Sequence, residues 1–165
     1  MEYVSFREDF VRIFEKNGLE SYITEDHIRK FYDLTDRMVE TNKVMNITAL
    51  TTQDKIIPLH YADCVKAAAY IPQNVTVADI GCGGGFPILP LAIVRPDLKL
   101  VGIDSTEKKI RYVQNTADEL NLAVTAISGR AEDLAKQADF RDGFDVVISR
   151  AVARLNILDE LCMPF

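Results

Sequence analysis

Four short runs rich in β-branched residues, VTVADI (75–80), KLVGID (99–104), AVTAIS (123–128) and FDVVIS (144–149), alternate with helical segments predicted at about 86–95, 106–121 and 130–137. Strands separated by helices at this spacing demand crossover connections, which lay the strands parallel and place helices on both faces of the sheet. The expected class is therefore α/β, with a Rossmann-like parallel sheet. At 165 residues the chain can bury one real core.

The first third reads differently, as helices. Ser5 with Glu8 three residues on has the capping-box pattern, and Phe6, Phe10, Ile13 and Phe14 follow at helical spacing before an Asn17-Gly18 stop. A second helix opens near Thr24 and carries Ile28, Phe31, Leu34, Met38 and Met45 on one side, an aromatic and aliphatic stripe read as core. Residues 46–52, NITALTT, interrupt the pattern. A further helical stretch runs from about Gln53 to Tyr70, with Pro58 expected to mark a junction of two helices. The organisation expected is an N-terminal helical region, 1–72, and a Rossmann-like core, 73–165. That core is expected to lack its last strands, because doubly wound nucleotide-binding sheets have two or more strands beyond the fourth and the chain ends at LCMPF, whose Leu161, Met163 and Phe165 read as a segment entering a core.

Composition narrows the function classes. No run of about 18 apolar residues exists, and MEYVSFREDF is acidic and aromatic rather than a basic stretch leading into an apolar one, so a soluble, cytoplasmic protein without membrane association is expected. Cys64, Cys82 and Cys162 are odd in number and widely spaced, and the only histidines are His27 and His60, so neither a disulfide framework nor a metal site is supported. Cys64 and Cys162 read as buried apolar residues. A formal net charge of -6 argues against broad binding of naked nucleic acid, while leaving room for a local basic patch or a nucleoprotein substrate.

The first strand runs into GCGGGFP, which packs four of the eight glycines into positions 81–85. Glycines between a strand and a helix lie where a parallel sheet presents its ligand crevice, and they allow positive φ and close approach to the main chain. Pro87 fits the first turn of the next helix. No Gly-Lys-Ser/Thr ends the loop, which disfavours a Walker site, and Phe86 stands where the third glycine of a dinucleotide fingerprint belongs. Asp79, two residues before Gly81, offers a carboxylate to a ligand ammonium group. Asp104, ending the second strand, can take both hydroxyls of a ribose; a helix N-terminal acid is the competing reading. Adenosine with an amino-acid tail fits such a crevice. Arg130, Ala131 and Glu132 after the third strand would border an adenine ring, and Ser149 and Arg150 after the fourth reach the same edge, where an arginine holds an anion or is simply a solvated structural residue.

The segments ADIGCGGGFPILPLAIVRP, GIDSTEKKIRYV, GRAEDL and FDVVISRAVARL, with NITAL and HYADC upstream, resemble the glucose-inhibited division protein B family, guanine-N7 methyltransferases of small-subunit ribosomal RNA, over roughly residues 40–160. The resemblance implies a class I S-adenosylmethionine-dependent methyltransferase fold with an N-terminal helical extension. Carried over by position, it implies that Gly81, Gly83, Gly85 and Phe86 bound the methionine and ribose side of S-adenosyl-L-methionine, with Asp79 nearby, Asp104 on the ribose, Ala131 and Glu132 on the adenine, and Arg150 on cofactor or target. Asn46, Thr48, His60 and Asp63 match upstream motifs facing the same mouth. The departures are Cys82 and Gly84 in the loop and Ile88-Leu89 where a second Gly-Ile is common. Family members also continue for several further strands, including a Lys-Gly segment.

The chemistry implied is methyl transfer to guanine N7, whose lone pair is free at neutral pH, so no general base is required and no catalytic residue is assigned. Positioning dominates. The partner implied is small-subunit rRNA or the 30S subunit, met by a monomer. RNA-facing candidates are Lys108, Lys109, Arg111, Arg154 and His60, with Arg29, Lys30 and Lys43 further off. Two alternatives stay open: an NAD-binding oxidoreductase, and a truncated cofactor-binding fragment without catalysis.

Overall fold

In the computed structural model, which describes residues 2–165, the four β-rich runs become parallel strands β1 (Thr76–Ile80), β2 (Lys99–Asp104), β3 (Val124–Ser128) and β4 (Val146–Ile148), ordered β3-β2-β1-β4. The chain therefore winds outward from β1 through β2 to β3 and then returns to the opposite side of β1. The reversal leaves a crevice at the carboxyl ends of β1 and β4. In register, Asp79 stands beside Gly102 on β2 and Ile148 on β4.

Alternation along the strands feeds two cores. Val77, Leu100 and Val124 point to a large cluster on one face, whereas Ala78, Ile80 and Ile103 point to a smaller one on the other. The large face is covered by α1 (Tyr3–Lys16), α2 (Glu25–Asn42), α3 (Gln53–Ile56), α4 (Asp63–Lys66), α5 (Ile88–Val94) and α6 (Glu107–Glu119). The aromatic stripe is core as expected, with Phe6, Phe10, Phe14 and Phe31 fully buried. On the smaller face lie α7 (Ala131–Leu134), α8 (Leu155–Cys162) and the ring of Phe165. Leu161 is half-buried there and Met163 is exposed, so only part of the last segment enters the core. Cys162 is likewise only half-buried.

Local chemistry explains most boundaries. Gly18, at φ 70°, closes α1: the amides of Gly18 and Leu19 donate to Glu15 and Phe14 carbonyls. The Thr24 hydroxyl caps α2 by accepting from the His27 amide at 3.1 Å. The Ser5 capping box does not form. Glu2 occupies the cap position without a side-chain bond and Ser5 lies inside the first turn, because the helix starts upstream of the pattern. Pro87 likewise precedes α5 as its cap residue.

Pro58 does not separate two helices. The segment Ile57–Ala62 forms a π-helical turn that joins α3 to α4 without a break, since the wider turn accommodates a residue that has no amide hydrogen. A 3₁₀ turn, Ala67–Tyr70, then ends the helical run. Its free carbonyls are collected by Arg95, just after α5. Nη1 donates to Ala68 and Ile71 (2.7 and 2.9 Å) and Nη2 to Pro72 (2.8 Å), while Nε and Nη2 hold the Asp97 carboxylate. Asp97 in turn accepts from the Asn74 amide, fixing the entry to β1. The Arg95 guanidinium, followed by these hydrogen bonds, holds Asp97 well below the usual carboxylate range.

Arg95→Ala should lower the unfolding free energy by about 2–4 kcal/mol, since it strands several backbone carbonyls and a carboxylate together. Arg95→Lys should recover little, because an ammonium cannot span four acceptors in a plane. Urea unfolding of the three proteins measures both.

Candidate functional site

The cleft at the strand ends holds about 560 Å³, within the range of small-molecule sites. Its floor is the glycine loop. β1 continues into it because the amides of Gly81 and Cys82 both donate to the Ile103 carbonyl on β2, at 2.7 and 3.0 Å. Gly81, Gly83 and Gly85 have φ of 74°, 53° and 90°, the left-handed region that glycine enters freely.

What excludes side chains there is mostly the protein itself. A Cβ on Gly81 would lie 2.3 Å from Val152 Cγ2, on Gly84 2.3 Å from Ile47 Cγ2, and on Gly85 2.4 Å from Leu89 Cδ1. At Gly83 a Cβ would meet only the Gly81 carbonyl oxygen, at 3.8 Å. Gly83 is thus the position where the cleft, and not a neighbouring side chain, lies against the backbone.

Asp104 ends β2 beside this loop. Its Oδ2 accepts from the Gly83 amide at 3.0 Å and its Oδ1 from the amide of Thr106, the residue just before α6, at 2.8 Å. A carboxylate oxygen keeps a second lone-pair direction for a ligand hydroxyl. On the next turn, Ala131 and Glu132 line the cleft, with Glu132 held by Arg130 at 3.1 Å. The helix expected over 130–137 is only α7, four residues long.

The wall opposite is built from the π-helical turn and the segment after β4. Ser149 Oγ donates to the Ile80 carbonyl at 2.7 Å, tying β4 to the end of β1. Arg150 reaches back: Nη2 donates to Leu59 O (2.9 Å), Nη1 to Cys64 Sγ (3.2 Å) and to His60 Nδ1 (3.4 Å), and Nε lies 3.5 Å from Asp63 Oδ2. Both terminal nitrogens are thus engaged by protein acceptors. With Nδ1 accepting, His60 carries its proton on Nε2 and donates to Thr48 Oγ1 at 2.8 Å. Its ring stacks on Phe86, centroids 4.4 Å apart. Burial, then the Arg150 charge, pushes the imidazole down to about 4, so it is neutral throughout the physiological range.

Of the residues expected at the site, Gly81, Gly83, Phe86, Asp104, Ala131, Glu132, Arg150, His60 and Lys109 line the cleft. Gly85 does not, because it packs against Leu89 and Val113. Asp79 does not either. It is fully buried on the large-core face, and neither carboxylate oxygen has a hydrogen-bond partner. Burial pushes it up to about 7, against an opposing pull from the Ile88 amide. Lys108, Arg111 and Arg154 are exposed and outside the cleft, and Arg111 pairs with Glu107. Arg29, Lys30 and Lys43 pair within their own helical segment, with Asp33, Asp26 and Glu40. Asn46 is exposed on the loop before α3.

Sequence reasoning missed Asn42, Ile47, Cys64 and Val152. Asn42 Oδ1 accepts from the Ile47 and Thr48 amides, and its Nδ2 donates to Thr48 O, so one side chain shapes the NIT loop and sets Ile47 against Gly84. An asparagine at a helix end before a non-helical run is the signal that pointed there. No sequence signal marks Val152. Among the described residues no group of His, Cys, Asp and Glu is placed to hold a metal, and no helix is long and apolar enough to cross a membrane.

A doubly wound parallel sheet with a nucleoside-sized cleft at its switch point, floored by glycines and flanked by an acid at the end of β2, defines an α/β protein of the Rossmann-like ligand-binding class. Within that class the chain belongs to the rRNA small subunit methyltransferase G family, whose family model matches residues 27–165. It is 40% identical over 160 residues to ribosomal RNA small subunit methyltransferase G of Oceanobacillus iheyensis, covering 95% of this chain and 66% of that protein. The protein of the same name from Brevibacillus brevis is 40% identical over 162 residues, covering 96% and 67%, and that from Clostridium perfringens 40% over 144, covering 86% and 60%. The chain thus spans about two thirds of the length of these relatives. Among solved structures, TehB from Haemophilus influenzae superposes with a TM-score of 0.45 at 23% identity, over 68% of this chain and 34% of that one.

Two stability effects follow from the loop. Gly85→Ala should cost more than Gly83→Ala, because both force an L-residue to positive φ but only the first also strikes Leu89; paired thermal melts measure the difference. Asp79→Asn should melt higher than wild type at pH 8 and no higher at pH 5. The folded-state pKa lies above the unfolded one, so ionisation costs stability as pH rises through about 7.

Proposed function

We propose that the chain binds S-adenosylmethionine in this cleft and takes part in N7-methylation of a guanine in small-subunit rRNA. Membership of the family supports the reading, and the observation that carries it to this cleft is the pairing of Asp104 with Gly83. An acid at the end of β2 lies within one hydrogen bond of the single loop glycine left open to a ligand.

The residues present fit that ligand. Asp104 would hold the ribose hydroxyls, Ala131 and Glu132 would edge the adenine, and the open backbone at Gly83, beside Gly81, would let the amino-acid tail lie on the main chain. The bound group supplies an electrophilic methyl on a sulfonium. The chain's own task is to position and desolvate, since guanine N7 needs no proton removed. His60 suits that task as a neutral, stacked wall, and among the described residues no group in the cleft is arranged as a general base. The target guanine would have to leave its stack, at about a few kcal/mol. Lys109 at the cleft edge is the cation best placed to meet a phosphate. Phe86 in place of the third fingerprint glycine disfavours NAD, since it puts a bulky ring where a dinucleotide fingerprint keeps the helix start open.

Calorimetric titration should show saturable binding of S-adenosylmethionine, weakened at least tenfold in Asp104→Ala for the loss of a charged bidentate contact. NAD should show none. Transfer of labelled methyl to purified small ribosomal subunits tests the whole reading, and binding without transfer would favour a cofactor-binding unit lacking catalysis.

A further inference from the structure

Strand order gives the cleft two ends. Ala131 and Glu132 follow β3 at one edge of the sheet, and Arg150 to Val152 follow β4 at the other. Three strand spacings, about 14 Å, separate the two sets of strand ends. A nucleoside held by Asp104, Ala131 and Glu132 therefore does not reach the β4 end. That end is lined by rings. Arg150 Nη1 donates to His60 Nδ1 at 3.4 Å, which fixes the imidazole there, and His60 stacks on Phe86 with centroids 4.4 Å and planes 17° apart. This contact ends a run of ring contacts that begins in the core: Phe31 meets Tyr61 at 4.7 Å, and Tyr61 meets Phe86 at 6.3 Å with planes 28° apart. Phe31 and Tyr61 are fully buried, whereas Phe86 and His60 line the cleft. With Nε2 donating to Thr48 Oγ1 at 2.8 Å, both nitrogens and one face of the imidazole are engaged. The opposite face is the surface the ring has left to present.

We propose that the free face of His60 is the plate on which the target guanine stacks, so that the base enters the cleft at its β4 end while the nucleoside of the methyl donor lies at the β3 end. The identity of the base rests on the function proposed above. A purine laid on this plate adds one more ring to a run that the core already holds in place, and no side chain has to be ordered when it arrives. The plate also suits N7 as the reacting atom. The Nε2 hydrogen is already donated to Thr48, so it is not offered to the N7 lone pair, which has to stay free. Burial keeps the imidazole neutral, so no positive charge from this ring faces the base. Because both nitrogens are held, the ring keeps its orientation as the base enters. Stacking of this kind extracts a base from its own stack by replacing one aromatic neighbour with another.

The chain's only histidines are His27 and His60, so their imidazole proton resonances report the plate directly, with His27 in the first turn of α2 as the internal control. In the chain saturated with S-adenosylhomocysteine, guanosine monophosphate should move the His60 ring protons upfield, the ring-current signature of a stacked base, and leave His27 in place. Ribose 5-phosphate, which has no base, should move neither. His60→Ala should weaken guanosine monophosphate binding roughly tenfold, read by saturation transfer to the nucleotide, and His60→Phe, which keeps a ring, should recover most of it. Should His60→Ala fail to fold, the wild-type shifts alone decide. No His60 shift at millimolar guanosine monophosphate in the donor-site-loaded chain overturns the plate and leaves the cofactor site standing. A shift produced in full by S-adenosylhomocysteine alone gives the plate to the cofactor's adenine and overturns the proposal as well. A folded chain that binds neither S-adenosylmethionine nor S-adenosylhomocysteine, yet shifts His60 with guanosine monophosphate, supports the plate and overturns the cofactor reading.

Discussion

The turn from β1 into α5 is the constraint from which the rest of the cleft follows. Three side chains close on it: Leu89 from α5 itself and, from distant segments, Ile47 of the loop before α3 and Val152 from beyond β4. Each touches a position that has no Cβ. The turn is therefore a packing junction as well as a ligand floor, and its shape depends on the N-terminal helices and on the far end of the sheet. That dependence gives the N-terminal region a role at the site. Its helices bury the large face of the sheet, and through Asn42 and Thr48 they also fix Ile47 and His60.

Arg150 illustrates how context changes what a residue can do. From sequence it reads as an anion clamp or as a solvated arginine; in the structure it lines the cleft while protein acceptors, the Asp63 carboxylate among them, engage its guanidinium. Its guanidinium joins the end of β4 to the π-helical turn, and the widening at Pro58 shapes the turn that presents Leu59 O, His60 Nδ1 and Asp63 to it. A helix interrupted by proline is thus used as a socket. Burial, helped by that neighbouring charge, keeps the His60 ring neutral, so the imidazole face of the wall is polar but uncharged.

Much of this was legible from residues alone, for identifiable reasons. Period-two runs bounded by turn residues fixed all four strands to within two residues at each end. The aromatic stripe at helical spacing could only be core. The cleft's position followed from topology, since ligands sit where strand order reverses. The failures are equally specific. Ser5 carries a capping pattern, but a helix start is set by whichever upstream residue can leave helical φ/ψ, and that was Glu2. Asp79 looked like a ligand contact because distance along the chain to Gly81 is short; strand alternation turns its side chain to the core instead. Gly85 looked like part of the ligand floor, but its neighbours are Leu89 and Val113, and contacts of that kind are invisible until the sheet is assembled.

The electrostatics of the cleft follow from which charges the fold satisfies and which it leaves open. Exposed acids and bases pair along their helices, and such pairs contribute little. Near the cleft the pattern is asymmetric. The Arg150 cation is met by a carboxylate, a carbonyl, a thiol and an imidazole, while Asp79 is met by none of them. Both charges lie close enough to influence each other, yet the backbone places one partner set around the base and withholds one from the acid. The fold thereby commits Arg150 to joining the segment after β4 to the π-helical turn, and the wall of the cleft is anchored by that one guanidinium.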